Sequence, residues 1–576
     1  MLKIFKYLTL REWAMAFISV VFIISQVWLE LAVPGYMIEI TKLVQTPGSA
    51  MTDIWSAGGM MLLATLGSLA TTIIVGYYTA MLGARFARRL RSLLFGKVDS
   101  FSMEEIDSFS TDSLITRSTN DITQVQMLIT MGLMMLVRAP IMAVLAISRI
   151  AGRGFEWTVA TGIAVAVTIV INAFLVLFVF PKFQKMQDLI DNLNRVTREN
   201  LTGLRVVRAY NAEAYQETKF EQANAELTDT QLFTSRAMSM MMPMMGLIMS
   251  GVSLAIYWIG AYLINEAAML DRLPIFANMV VFSNFATQAI MAFMMLTMVF
   301  VMLPRAAVSA RRINEVLERK PSVVPGSRAD GENGKRGELS FNNVSFKYPG
   351  ASDYILRDIT FDVMQGETVA FIGSTGSGKT TLVNLVPRFF DATEGEIRIN
   401  GMDIRGYTLE SLYSKIGYVP QKSVLFKGNT TTNVAFGDNS GSAENVKKAL
   451  EIAQCANLAD AEISQGGTNV SGGQRQRLSI ARAVARKPEI YIFDDSFSAL
   501  DYKTDKTLRK ELKKETENVT SLIVAQRIGT VMDADQIIVL DEGKIVGRGR
   551  HKELLETCDL YKQIALSQLS GEELAS

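Results

Sequence analysis

The chain has 576 residues, enough for two or more domains. Its 58 Lys and Arg nearly cancel its 57 Asp and Glu, which removes any global electrostatic case for nucleic acid as a partner. Hydrophobic residues make up 49% of the chain, gathered in long runs over 14–303, whereas 319–576 reads as a water-soluble α/β domain. Cys455 and Cys558, the only cysteines, give no disulfide framework and read as ordinary thiols in a reducing compartment.

A bilayer core needs about 20 apolar residues per helix. Stretches at 14–40, 56–83, 126–148, 157–180, 238–264 and 277–303 meet that length. The first is too long for a signal peptide, and no small-residue cleavage site follows it. The loops near 41–55, 149–156 and 265–276 are short and hold only Lys42, Arg149, Arg153 and Arg272. The loops at 84–125 and 181–237 are long and cationic, with Arg85, Arg88, Arg89, Arg91, Lys97 and Arg117 in one. The other holds Lys182, Lys185, Arg195, Arg198, Arg205, Arg208, Lys219 and Arg236. Cationic loops stay cytoplasmic, so both long loops and both termini are expected inside. Helical periodicity with few breakers, as in 196–224, predicts helical hairpins that extend the membrane helices.

Arg138 and Glu30 fall within apolar stretches, where a charge is costly unless it faces protein or water. They read as cavity-lining or ion-paired residues, as a structural pair, or as a sign that a helix boundary lies elsewhere. The methionine runs MSMMMPMMGLIM (238–249) and MAFMMLTMVFVM (291–302) suit a surface that binds many apolar shapes, or plain lipid-facing and packing positions.

A Pro-, Gly- and charge-rich stretch at 318–337 reads as a linker, and 338–348 alternates like a strand. The strand TVAFI (368–372) then runs into GSTGSGKT and a helix-like segment, the context that G-x-x-x-x-G-K-[ST] requires. Gly373, Ser374, Thr375, Gly376, Ser377 and Gly378 would turn backbone N–H groups around phosphate, with Lys379, Thr380 and Thr381 opening the helix. Lys379 is expected at the β/γ-phosphates and Thr380 at Mg²⁺. IYIF (490–493) ends in Asp494, a carboxylate placed for the magnesium shell. ATP and Mg²⁺ are the expected cofactors.

VSGGQRQRLSIARA (470–483) resembles the signature of the ABC transporter ATPases. The resemblance extends along nearly the whole chain. The segments 101–126 and 196–224 resemble the two intracellular loops of six-helix ABC exporters. It implies that Tyr348 stacks on adenine and that Gln421, in YVPQ, joins Thr380 and Asp494 at the metal. It implies that Asp501, in SALD, belongs to the D-loop, and that Ser471, Gly472, Gly473 and Gln474 contact the nucleotide of a partner chain. The fold it implies is an α-helical membrane domain of six transmembrane helices with long cytoplasmic extensions (1–317), the linker (318–337), and an α/β P-loop ABC ATPase domain (338–576). Two such chains would sandwich two ATP molecules.

Two positions depart from that pattern. The family's usual Glu after the Walker B aspartate, a general base, is Asp495 here, shorter by one methylene or about 1.5 Å. A base needs contact of roughly 2.6–3.2 Å, and its loss is often worth about 10²–10⁴-fold. The family's switch histidine is Gln526, which donates a hydrogen bond but shuttles no proton. The only histidine, His551, corresponds to a family position far from nucleotide. The signature, with Val470 for leucine, is near the usual form, although 453–474 reads as short. One poor and one good site is the arrangement of heterodimeric ABC exporters. The expectation is therefore a half-transporter whose partner chain supplies the Walker B Glu and the switch His. It would export hydrophobic or amphipathic compounds, multidrug-like first and lipid or peptide second, across a bacterial cytoplasmic membrane. The alternatives are an ATP-gated channel or receptor that has lost hydrolysis, and a homodimer with two weak sites.

Overall fold

The computed structural model describes residues 2–46, 48–151, 154–269, 271–332, 335–437 and 442–568. Arg153 and the linker positions 333 and 334 lie outside that set. The chain forms two compact units, one of Met1–Val98 with Asp112–Arg319, the other of Asp99–Thr111 with Lys320–Ser576.

The first unit is helical. Among the described residues six helices are long and apolar enough to cross a membrane: Leu10–Val44, Met51–Asp99, Thr111–Ile150, Phe155–Thr202, Glu213–Glu266 and Arg272–Leu296. The first opens on a capping box, in which Thr9 Oγ1 accepts from the Glu12 N–H and the Glu12 carboxylate accepts from the Thr9 N–H. Several helices run well past their apolar stretch. In the second, Leu82, Phe86, Leu90 and Leu94 are buried at four-residue spacing among the arginines, so an amphipathic stripe carries the helix on to Asp99. The core draws Val27 and Leu31 from the first helix, Ala146 and Ile150 from the third, Ile256 from the fifth and Phe285 from the sixth. The Trp157 and Phe282 rings pack within it, their centroids 5.5 Å apart. Leu62, Leu66, Leu69 and Ile73 form an exposed apolar stripe on the second helix, a surface that suits lipid. Glu30 and Arg138 are paired: Arg138 Nη2 lies 3.0 and 2.9 Å from the two Glu30 oxygens. Both sit inside continuous helices, so neither marks a helix boundary.

The second unit is built on sheets. Its strands are β1 (Leu339–Phe346), β2 (Leu356–Val363), β3 (Thr368–Gly373), β4 (Glu394–Ile399), β5 (Met402–Asp403), β6 (Ile416–Val419), β7 (Gly428–Asn429), β8 (Glu462–Ile463), β9 (Ile490–Asp494), β10 (Thr520–Val524), β11 (Gln536–Asp541) and β12 (Lys544–Gly549). An antiparallel four-stranded sheet has the order β2-β1-β4-β5. A six-stranded sheet has the order β12-β11-β3-β10-β9-β6, parallel apart from the β12 edge. The strand IYIFD is buried at every position, as a central parallel strand requires. Phe341, Phe361 and Phe371 pack between the sheets with Leu382 and Val383 of the helix that follows the P-loop. The segment before the signature is compact: β8 pairs with β7, and the Asn469 side chain bonds the Ser464 N–H and the Glu462 carbonyl.

Candidate nucleotide site

Register brings the site together. Val524 at the end of β10 pairs with Asp494 of β9 on one side and with Phe371 of β3 on the other, and Val419 of β6 pairs with Phe493. The segments that follow these four strands therefore leave the same edge of the sheet, at the carboxyl ends where ligands bind in open α/β sheets. They carry the P-loop, Asp495, Gln526 and Gln421.

The P-loop takes its shape from glycine. Gly376 (φ +85) and Gly378 (φ +94) hold left-handed backbone, and a Cβ on Gly378 would meet Leu356 at 2.8 Å. Lys379 is buried, and its Nζ donates to the Gly373 carbonyl (3.0 Å), the Ser374 carbonyl (2.6 Å) and Ser377 Oγ (3.1 Å). Burial lowers its pKa, against the pull of the Asp495 and Asp494 charges. A buried ammonium resting on neutral acceptors fits an incoming phosphate. Thr380 Oγ1 donates to Asp494 Oδ1 at 2.9 Å. Burial raises the Asp494 pKa, opposed by that bond and reinforced by the neighbouring Asp495 charge. A hydroxyl and a carboxylate are the hard oxygens that Mg²⁺ takes alongside substrate phosphates.

Asp495 makes the turn out of β9 at φ +45, with its N–H bonded to the Val524 carbonyl at 3.0 Å. Gln526 Nε2 (3.0 Å) and Gln421 Nε2 (3.4 Å) both donate to its Oδ2. Burial raises its pKa, and the two amides oppose the shift.

The remaining expected residues lie around this centre or apart from it. Tyr348 bonds Thr381 through its hydroxyl at 3.0 Å, and its ring meets Phe346 and Phe390 edge-on. Ser374 Oγ donates to Asp541 Oδ1. Ser471 and Gln474 form a capping box that starts the helix Gly472–Ala485. A Cβ on Gly473 would meet the Ala499 carbonyl at 3.2 Å, so the signature and the SALD turn are neighbours. Asp501 caps the helix Tyr502–Glu515 by accepting from the Thr504 N–H. His551 is buried against the Tyr561 hydroxyl at 2.7 Å.

Two residues escaped the sequence reading. Gln476, on the signature helix, donates to the Asp495 carbonyl at 3.2 Å. Gln568 donates to the Gln526 carbonyl and accepts from the Ile528 N–H, fixing the segment after β10. Gln476 lies inside the signature, where it could have been flagged; nothing local marks Gln568.

The geometry defines a P-loop ATPase joined to a membrane unit with six candidate spans. Residues 356–498 match the ABC transporter family and residues 16–293 match the ABC transporter transmembrane region. An ABC transporter ATP-binding protein of Mycobacterium tuberculosis is 38% identical over 88% of this chain and 87% of its own length. One of Bacillus subtilis is 34% identical over 91% of each chain. An ATP-dependent lipid A-core flippase of Pseudomonas fluorescens is 33% identical over 66% of this chain and 63% of its own length. The structure of a bacterial Atm1-family ABC exporter with ATP bound matches at TM-score 0.79 and 23% identity, covering 97% of this chain and 99% of that one. This chain belongs to the ABC transporter family. It is a multi-pass membrane half-transporter with the ABC exporter fold, an ATPase coupled to transport that uses ATP and Mg²⁺.

Proposed function

We propose that this chain is the slow-hydrolysing half of a heterodimeric exporter in a bacterial cytoplasmic membrane. The observation that carries the reading is the state of Asp495. The carboxylate at the general-base position is one methylene short, and two glutamine amides converge on one of its oxygens. One of them, Gln526, stands where a proton-shuttling histidine would serve.

Lys379 and the P-loop amides hold the ATP phosphates; Thr380, Gln421 and Asp494 hold Mg²⁺. Tyr348 takes the adenine. ATP is retained here, and this chain's Ser471–Gln474 signature, with Asp501 nearby, completes the partner's site. There a Glu and a His carry out hydrolysis. ATP binds best to the closed pair of ATPase domains, so retained nucleotide biases the dimer toward closure. The cargo is hydrophobic or amphipathic and of multidrug type, which the methionine-rich fifth and sixth helices suit.

The test is ATPase activity of the chain co-purified with its partner. Changing the partner's Glu to Gln is expected to abolish turnover, and Asp495→Asn is expected to change it by less than about threefold, against about 10²–10⁴ for a working base. Brisk hydrolysis by this chain alone, stopped by Asp495→Asn, would overturn the reading in favour of a homodimer.

A further inference from the structure

The Glu30–Arg138 pair lines a cavity of about 330 Å³ within the membrane unit. A rise of 1.5 Å per residue places Glu30 about 30 Å from Leu10 and about 21 Å from Val44, deep in its helix. The pair is reachable from the cavity, with side chains 23% and 20% exposed. Its hydrogen bonding is incomplete. Arg138 meets both Glu30 oxygens through Nη2 alone, and its Nε is buried without a partner. Gln288 Oε1, in the same cavity, is also buried without a partner. Met142, Met291 and Met295 supply an apolar wall.

An ion pair at the cavity surface, with an unpartnered donor and acceptor in the wall, restricts what can enter. Gln26 Nε2 also donates to Glu30 Oε1 at 3.1 Å, but it is neutral, so a simple anion that took Arg138 would leave the Glu30 carboxylate without a counter-charge at membrane depth; a simple cation would strand Arg138. A zwitterion satisfies both charges at once, its anionic end on the guanidinium and its cationic end on Glu30, and a turn of the Gln288 side chain in the cavity wall would bring its unpartnered Oε1 to the cationic end. The methionines fit an apolar body of varied shape.

We infer that Glu30, Arg138 and Gln288 form a recognition site for amphipathic zwitterions. The inference deepens the transport reading above and rests on it for its role in a cycle. The test uses the full chain with its partner in lipid nanodiscs, with empty discs subtracted. Four probes are titrated: lauroyl-lysophosphatidylethanolamine (zwitterionic), lauroyl-lysophosphatidylglycerol (anionic), dodecyltrimethylammonium (cationic) and dodecyl maltoside (uncharged). The zwitterion is expected to bind at least about tenfold more tightly than the others, and Arg138→Met and Glu30→Gln are each expected to erase that preference. Glycerophosphoethanolamine, the headgroup alone, is expected to bind at least about tenfold more weakly than the lysolipid. Gln288→Ala leaves the ion pair intact and is expected to weaken the zwitterion severalfold while sparing the maltoside. Equal binding of all four probes, a preference that survives Arg138→Met, or unchanged zwitterion binding in Gln288→Ala would make the pair a structural staple and overturn the inference. ATP-driven dye uptake in proteoliposomes keeps the two readings apart. Uptake without zwitterion preference overturns the recognition site and leaves transport standing; preference without uptake supports the site and counts against transport.

Discussion

Asp494 and Asp495 share a backbone and little else. Asp494 has a hydroxyl donor, and in the reading proposed above Mg²⁺ would compensate its charge. Asp495 has two neutral amides, and burial still holds its pKa above the usual 3.8. A carboxyl group whose folded pKa is raised holds its proton more tightly folded than unfolded. Its contribution is favourable at low pH and is lost as pH rises through the folded value. At neutral pH without nucleotide, the Asp495 charge is therefore a cost that Asp495→Asn removes. The expected melting temperature of Asp495→Asn at pH 7 is equal to or above that of wild type, with the gap closing as pH falls toward 3.8. Thermal unfolding at a series of pH values checks this. A variant clearly less stable at pH 7 would mean that the carboxylate has a stronger native partner than Gln421 and Gln526.

At the scale of elements, the short helix Met103–Phe109 is built around Glu105. Its carboxylate accepts from the Ser102 N–H and hydroxyl, each within 3.0 Å, and its other oxygen takes the Ser322 N–H at 3.0 Å. Burial opposes the charge, but the bonds from Ser102 and Ser322 outweigh it and hold the pKa below 4.5. Here the linkage runs the other way: the stabilisation is present above about 4.5 and is lost as pH falls through the lowered value. Glu105→Ala is expected to cost about 2–3 kcal/mol, the scale of hydrogen bonds to a charged group, with Glu105→Gln milder. Faster amide exchange at residues 102–109 and at Ser322 is the readout; unchanged protection at Ser322 would refute the clamp. The comparison also marks what a sequence discloses. S-x-x-E at 102–105 is a capping box visible in the letters, as the P-loop is, because both are local. Ser322 is distant in the chain and carries no such mark. The Asp495–Gln526 bond is likewise hidden, because it depends on strand register, whereas the cost of a charge in an apolar stretch already offers a Glu30–Arg138 pair as one reading and helix packing selects it. The long helices were legible through their apolar runs. Their continuation past the apolar stretch rests on a weaker amphipathic period, from which the sequence predicts the helical extensions that the second and fourth helices show.

At the scale of the molecule, the remaining question is which way the chain faces, and its cysteines make that measurable. Cys455 and Cys558 are both buried and unpaired, so neither is presented to a reagent, and burial raises the Cys455 pKa to about 11. A cysteine introduced at an exposed position can then be labelled against a quiet background. Ala50 is exposed in the short connection between the first two spans, and Glu217 is exposed in the long cationic region. The arginine and lysine bias predicts the first outside and the second in the cytoplasm, with both termini and the ATPase unit expected on that same side. A membrane-impermeant maleimide is expected to label Ala50→Cys on intact cells and Glu217→Cys only after permeabilisation. The reverse pattern would invert the topology and put the P-loop where cytoplasmic ATP cannot reach it. With Lys379 and Asp494 proposed to hold a phosphate and its metal, such a result would contradict an ATP-driven cycle as well as the charge rule.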